Sequence, residues 1–230
     1  MTTVNIAITT GVGADTYIAS GAPTANIGIR DEIQLSTGAS NRRPLLRFDL
    51  YSIDPSKIIQ SALLKLTPKA NYNSATYNLF QVSDDNGNWI EGTKNGTLAG
   101  AGEPCWNAKQ ADGSGGVTEA WAGSAGLSTA GIDYINTVLA TLTSALTANT
   151  QLEIPFNAAG LAILQSWFGD ANNNGFLFLT NTSTQTLFHS GEATTESYRP
   201  VLTVTYTEAG GLLKVNMNAQ MQSLNGGMRG

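Results

Sequence analysis

His189 and Ser190 are adjacent residues whose side chains could act as a general base and a nucleophile. Neighbours on a β-strand point to opposite faces of the sheet, so this pair cannot share a hydrogen bond unless the strand contains a bulge. Cys105 is the single cysteine, which excludes an internal disulfide. We expect its thiol to be a small buried apolar group, because nothing in the sequence places His189 beside it. The sequence therefore predicts a protein without enzyme activity.

The segment Asp170-Ala-Asn172-Asn-Asn174-Gly175 places oxygen-bearing side chains at alternating positions before a glycine, like the first half of a calcium loop. Such a loop also needs an acidic residue at its twelfth position, where this chain has Asn181. We favour an asparagine-rich turn that leads into a strand. The prediction is therefore no metal and no cofactor, with calcium at Asp170, Asn172 and Asn174 as the alternative.

Trp89, Trp106 and Trp121 are candidate ligand-binding residues, because sugar rings stack on exposed indole faces. The alternative is that these rings anchor the core or a loop, as aromatic residues in β-sandwiches usually do. Trp106 and Trp121 lie in the glycine-rich segment 92–126, which is predicted to be either a functional loop or one held down by its own aromatic residues.

The composition favours turn-rich β structure over helical bundles, since only 13% of the 230 residues are charged and 25 are glycine. The net charge of -5, without a basic run, argues against a nucleic-acid partner. No apolar run is long enough to span a membrane, and Met1 is not followed by a secretory signal. We expect a protein made and assembled in the cytosol, or one that has lost its leader. A structural ion-pair set is predicted from Arg42, Arg43, Arg47 and Arg199 with Asp49, Glu192 and Glu196.

Residues 41–66 organise the rest of the chain. Apolar and polar residues alternate over Leu45–Leu50 and again over Ile58–Leu66, which predicts two strands joined as a hairpin by the turn Ser52-Ile53-Asp54-Pro55. Further strands are predicted over residues 3–10, 15–18, 32–35, 75–82, 151–156, 176–180, 186–190 and 201–206.

The segment 131–148 is ambiguous, because its apolar spacing fits a helix while its threonine and valine content fits a strand near Val138–Thr143. Asn157 is a suitable N-cap for one short helix over Ala158–Phe168. These elements predict one β-sandwich domain over residues 1–208. Residues 209–230 differ in composition and are predicted to be a tail for docking or oligomer contacts through Leu212, Leu213, Val215, Met217 and Met221.

The chain from about Asp15 to Tyr206 resembles the DNRLRE-domain family, which is related to a group of carbohydrate-binding modules. The resemblance depends on an ordered series of short motifs: Asp15-Thr-Tyr-Ile, Asn26-Ile-Gly28, Arg43 with Leu45–Leu50, Ile58 with Ser61–Leu66, Trp89-Ile-Glu91, Cys105-Trp106-Asn107, Trp121, Gln165-Ser-Trp167, Asn174-Gly-Phe176, Phe188, Ser190, Glu192 and Arg199–Tyr206. It implies an antiparallel β-sandwich of jelly-roll type, non-catalytic binding, and a strand after Asp133-Tyr134.

We therefore expect a structural accessory protein, a homo-oligomeric jelly-roll module that decorates a larger assembly such as a bacteriophage capsid, at the virion surface. The alternative is an extracellular or cell-surface module that binds a polysaccharide. The two differ in their partner, which is a protein assembly in the first case and a glycan in the second.

Overall fold

The computed structural model describes residues 1–9, 11–170 and 173–208 of the chain. Asn172 of the alternative calcium loop and all five predicted docking residues of the tail lie outside these ranges. The strands are β1 (Thr2–Ala7), β2 (Ala14–Ala19), β3 (Ala25–Asn26), β4 (Glu32–Leu35), β5 (Arg42–Arg47), β6 (Ile58–Leu66), β7 (Tyr72–Gln81), β8 (Thr97–Leu98), β9 (Gln110–Ala111), β10 (Val117–Glu119), β11 (Ala140–Leu146), β12 (Leu152–Pro155), β13 (Phe176–Thr180), β14 (Thr186–His189) and β15 (Val201–Thr207).

Two antiparallel sheets form the body of the protein. The first has the strand order β1-β15-β6-β12, and the second has the order β11-β7-β13-β5-β2. Leu64 and Val204 from the first sheet and Leu79 and Phe178 from the second belong to one buried apolar cluster. The protein is therefore an all-β sandwich, as the sequence predicts, with its main core between the two sheets.

The predicted hairpin over residues 45–66 is wrong in its pairing, although both strands exist. β5 pairs with β2 and β13 in the second sheet, whereas β6 pairs with β12 and β15 in the first. The turn after Leu50 therefore carries the chain from one sheet to the other. The strand also begins and ends earlier than predicted, and Phe48 and Leu50 enter the core beyond its end.

The outer face of the second sheet is buried by a second core. Leu45, Leu177 and Val82 pack there against Trp89 and Trp121. The two indoles lie in or just before the glycine-rich segment 92–126, so this segment is held down by its own aromatic residues, the second of the two predicted alternatives. At β5 and β13 both faces of this sheet are consequently buried, which explains why these two strands carry apolar residues on both sides.

The ambiguous segment contains strand β11, which pairs with β7 from Ala140 opposite Leu79 onwards. The prediction of a strand is therefore confirmed. The predicted short helix is also present as α1 (Ala158–Ser166), and the side chain of Asn157 accepts a hydrogen bond from the Gly160 N–H at 2.9 Å, as a helix N-cap does. In the described ranges, no helix is long and apolar enough to cross a membrane.

Candidate functional site

Three carboxylates from distant parts of the chain meet beside the edge strand β2. Asp15 lies in β2, Glu91 follows β7 in the chain, and Glu192 lies in the turn after β14. Each offers an oxygen atom, and these atoms all lie within 4.8 Å of one another. Asp15 is 1% exposed, while Glu91 and Glu192 are partly exposed. We call these three residues the carboxylate cluster.

Backbone hydrogen bonds place the side chains of this cluster. The Asp15 N–H, at the open edge of β2, donates to Glu91 Oε1 at 2.8 Å. Gly191 N–H donates to Asp15 Oδ2 at 2.8 Å. Asp15 therefore binds Glu91 through its backbone and the turn of Glu192 through its side chain, so that the three segments converge on one point.

Asn26 fixes the backbone that carries Glu91. Its fully buried side chain donates to the carbonyl oxygens of Glu91 and Pro104 and accepts from the N–H groups of Gly28 and Lys94. A Cβ at Gly28 would lie 2.3 Å from the Glu91 carbonyl oxygen, so only glycine allows this close approach. The Glu91 carboxylate is thereby aimed at Asp15 by a rigid support.

Burial dominates the electrostatics of the cluster. Burial raises the pKa of Glu91 to about 7, and the negative charge of Glu192 adds to the effect. Burial is also the main cause that raises the pKa of Asp15, and the negative charges of Glu192 and Glu91 raise it further. Burial raises the pKa of Glu192 as well. The three carboxyl groups can bind either protons or a hard cation, because each of these neutralises negative charges that are buried close together.

This electrostatic arrangement predicts a stability that falls with rising pH in buffer freed of divalent cations. The folded-state pKa of Glu91, about 7, exceeds its ordinary value of 4.5, so the folded protein binds the extra proton below pH 7 and loses this stabilisation as the pH rises through 7. We expect the free energy of unfolding to decrease by about 2 kcal/mol from pH 5 to pH 8, after allowing for solvent screening. Urea unfolding across this range measures the slope. Glu91→Gln should make the slope smaller, and a stability that rises with pH in the wild type would contradict the prediction.

The residues predicted as a base and a nucleophile do not form a pair in the structure. The His189 ring is hydrogen bonded to Asn149 Oδ1 at 3.1 Å and lies against the Tyr198 ring, whereas the Ser190 hydroxyl donates to the Arg30 carbonyl oxygen at 2.6 Å. Cys105 is buried among alanines, as predicted, and burial raises the pKa of its thiol.

Two of the three predicted sugar-stacking residues are inside the protein. Trp89 is 0% exposed and donates from Nε1 to the Asn174 carbonyl oxygen, and Trp121 is buried and donates to the Cys105 carbonyl oxygen. This corrects the predicted platform at these two positions, because an enclosed ring offers no face to a sugar. Trp106 is partly buried, and the Arg43 guanidinium lies over its ring at 5.3 Å from the centroid.

Asp170 and Asn174, the described acidic and amide residues of the alternative calcium loop, line one pocket together with Asp84. The Asn174 side chain donates to Asp84 Oδ1 at 2.6 Å, and the intervening Asn173 side chain is hydrogen bonded to backbone groups of Phe48 and Gly175. Asp170 lines a groove at the surface. These asparagines support the turn, which is the interpretation favoured from the sequence.

The predicted arginine ion-pair set is mostly wrong within the described residues. Only Arg199 forms an ion pair with one of its predicted partners there, with Glu196 at 3.8 Å. Arg43 instead donates to the carbonyl oxygens of Gly126 and Leu127. The guanidinium of Arg47 lies over the Trp89 ring. Arg43 and Arg47 therefore hold the residues that cover the second core through carbonyl and aromatic partners.

A shallow groove of about 390 Å³ lies at one end of the second sheet. Its lining includes Arg47, Asp49, Tyr51, Asn88 and Ile90. Tyr51 is 63% exposed, so its ring is free to contact a ligand.

Sequence reasoning missed both the carboxylate cluster and Tyr51 as site residues. A signal for the cluster was present, because Asp15 interrupts the apolar strand Ala14–Ala19, where a charged side chain needs a partner. Nothing local identifies that partner as Glu91 or Glu192.

The fold and the cluster define an all-β sandwich protein that holds three carboxylates together at a sheet edge. No protein-family model matches the chain, and a search of curated proteins finds no match either.

Proposed function

We propose that this protein is a non-catalytic structural accessory module that decorates a larger protein assembly, with a bacteriophage capsid as the first assembly to test. The observation that carries the proposal is the outer face of the first sheet. On this face Thr3 and Thr205 share a hydrogen bond at 3.0 Å, and Thr203 donates to Asn5 Oδ1 at 2.7 Å. In the β1–β15 part of this face, short uncharged side chains that already have partners make a flat surface suited to a protein partner, and further across it Lys65 and Glu153 pair with each other at 3.0 Å.

The edge strand of the same sheet supports assembly. In the described part of the chain, β1 has a strand neighbour only on the side of β15. Its sequence, Thr2–Ala7, contains no proline and no charged residue, the usual protection of an exposed edge. Pairing of this edge with a strand of the assembly, or of a second copy, would satisfy its open backbone groups. A homo-oligomer on the virion surface is the form that we expect.

The resemblance to the DNRLRE-domain family belongs to the same proposal, with the sandwich as a jelly-roll module. Asp15, Glu91 and Glu192 come from three separate motifs of that resemblance and lie in one cluster. Their convergence supports treating the motifs as parts of one structural unit.

A charged substitution on the flat face tests the proposal. Thr203→Lys would place an unpaired ammonium group in the contact, so we expect at least a tenfold weaker association with the assembly encoded beside this chain. Cosedimentation measures the association, and light scattering measures the oligomeric state. Thr143→Lys, on an exposed position of β11, is the matched control and should bind normally. A monomeric wild type that binds no neighbouring coat or portal protein would overturn the proposal.

The groove beside Tyr51 favours polysaccharide binding as a second candidate function. In that case we expect the protein to be extracellular. An exposed tyrosine next to Arg47 and Asp49 combines a stacking surface with polar groups that can contact sugar hydroxyls or a uronate. Calorimetric titration with neutral and uronate polymers should then detect binding that Tyr51→Ala abolishes. Tyr198→Ala, in a different groove, should leave it unchanged. Absence of binding to all polymers would rule this candidate out.

A further inference from the structure

Two oxygens of the carboxylate cluster have no hydrogen-bond donor. Asp15 Oδ1 and Glu192 Oε2 are buried, and with both groups ionised neither has a donor; only a proton shared between these two carboxyls would give them a hydrogen bond. Asp15 as a whole is 1% exposed. A buried carboxylate oxygen without a partner is costly, so native proteins normally pair it with a donor, a proton or a metal ion. The unpartnered oxygens belong to the same three residues whose ligand atoms lie within 4.8 Å of one another.

Nearby cations do not neutralise the cluster. In residues 1–9, 11–170 and 173–208, no lysine or arginine nitrogen lies within 4.0 Å of a carboxylate oxygen of Asp15, Glu91 or Glu192. Arg47 is near Glu91, but its guanidinium lies over the Trp89 ring at 4.9 Å from the centroid. The positive charge of Arg199 is also near Glu192, but its Nε–H donates to the Ala193 carbonyl oxygen. A compensating positive charge is therefore missing at the point where the three side chains meet.

We propose that Asp15, Glu91 and Glu192 bind a calcium ion that joins edge strand β2, the segment after β7 and the turn after β14. All three ligands are carboxylates, which suit a hard cation, whereas zinc and copper sites usually include His or Cys, and this set has neither. Calcium binds oxygens at 2.3–2.6 Å, so two of its ligands can stand up to about 5 Å apart, whereas magnesium allows only about 4 Å and keeps several waters. The ligand oxygens all lie within 4.8 Å of one another, which one calcium ion can span. Three protein carboxylates are also more than the one or two that magnesium usually takes, so the set suits calcium better.

The surroundings suit a resident ion. Asp15 forms the closed inner end of the site, while Glu91 and Glu192 are partly exposed and leave a route from solvent for the ion and its remaining water ligands. Asn26 and the close packing at Gly28 hold the Glu91 backbone in place before any ion binds. A preorganised set of ligands loses little conformational entropy when the ion enters.

Calcium at this point would link residues far apart in the sequence. It would attach the edge of the second sheet to the Glu91 segment and to the turn that precedes β15. An ion that binds only the folded state raises its apparent stability by mass action. We expect the melting temperature to rise by roughly 5 °C at a hundredfold excess of calcium over its dissociation constant.

The experiment compares the full chain after treatment with EDTA and after addition of calcium chloride or magnesium chloride, by calorimetric titration and thermal unfolding. We expect one calcium per chain, a higher melting temperature with calcium, and a response to magnesium at least tenfold weaker. Asp15→Asn and Glu192→Gln, which keep the side-chain shape, should each weaken calcium binding at least tenfold. Direct titration of the wild type keeps the test decisive even if one of these variants fails to fold.

Two control variants separate this site from other carboxylates. Asp170→Asn removes the acidic residue of the alternative calcium loop, and Glu153→Gln removes an exposed carboxylate that is paired with Lys65. Both should bind calcium like the wild type. The proposal is overturned if the EDTA-treated wild type binds no calcium, or if binding is lost in Asp170→Asn and retained in Asp15→Asn. Neither result would bear on docking through the flat face, which the cosedimentation experiment tests separately.

Discussion

Replacement of Asp133 by alanine should lower the free energy of unfolding by about 4 kcal/mol, because it leaves the buried Asn86 side chain and three partly buried N–H groups without their acceptor. Asp133 is 0% exposed. Its carboxylate accepts from the N–H groups of Gly123, Ser124 and Thr129 at 2.7–3.1 Å and from the Asn86 side chain at 3.0 Å. One side chain thus secures much of the segment that covers the second core.

Urea unfolding followed by circular dichroism measures this effect, and limited proteolysis shows whether residues 113–130 become accessible. Asp112→Ala is the matched control, since this exposed aspartate also accepts from two N–H groups of its own turn. Water can replace its carboxylate, so we expect a loss of at most about 1 kcal/mol. An Asp133→Ala variant as stable as the control would show that the segment is held by its aromatic residues alone.

Replacement of Trp89 by alanine should lower the free energy of unfolding by about 3–5 kcal/mol, the usual range when a large aromatic residue is removed from a core. The ring fills the space between Leu45 and Leu177, donates to the Asn174 carbonyl oxygen at 2.8 Å and lies beneath the Arg47 guanidinium. The variant would therefore lose apolar burial, a hydrogen bond and a cation–π contact at one site.

Trp106→Ala is the comparison for Trp89→Ala. Because Trp106 is only partly buried, its replacement should lower the free energy of unfolding clearly less. Denaturant unfolding of both variants, again followed by circular dichroism, gives the difference. If Trp89→Ala kept wild-type stability and lost only the binding of a polysaccharide, the assignment of this ring to the core would be wrong, and the sugar platform predicted from the sequence would return.

Local features were predictable because their physical cause is local. The alternation in Ile58–Leu66 gives a strand whose inner residues reach the main core, and Asn157 caps α1 through a contact only three residues away. The strand within residues 131–148 was harder to predict, because its spacing also fits a helix. Pairing with β7 decides between the two.

The sequence by itself determined that this protein is an all-β sandwich with one short helix, since strand periodicity and capping are properties of neighbouring residues. Only the tertiary structure decided that β5 and β6 lie in different sheets, that Trp89 faces inward, and that Asp15 meets Glu91 and Glu192. Asp15 and Glu91 are 76 positions apart, and their meeting depends on how the sheets and the covering segment close around β2. Periodicity reports which side of a strand is buried, but it carries no information about which distant segment buries it.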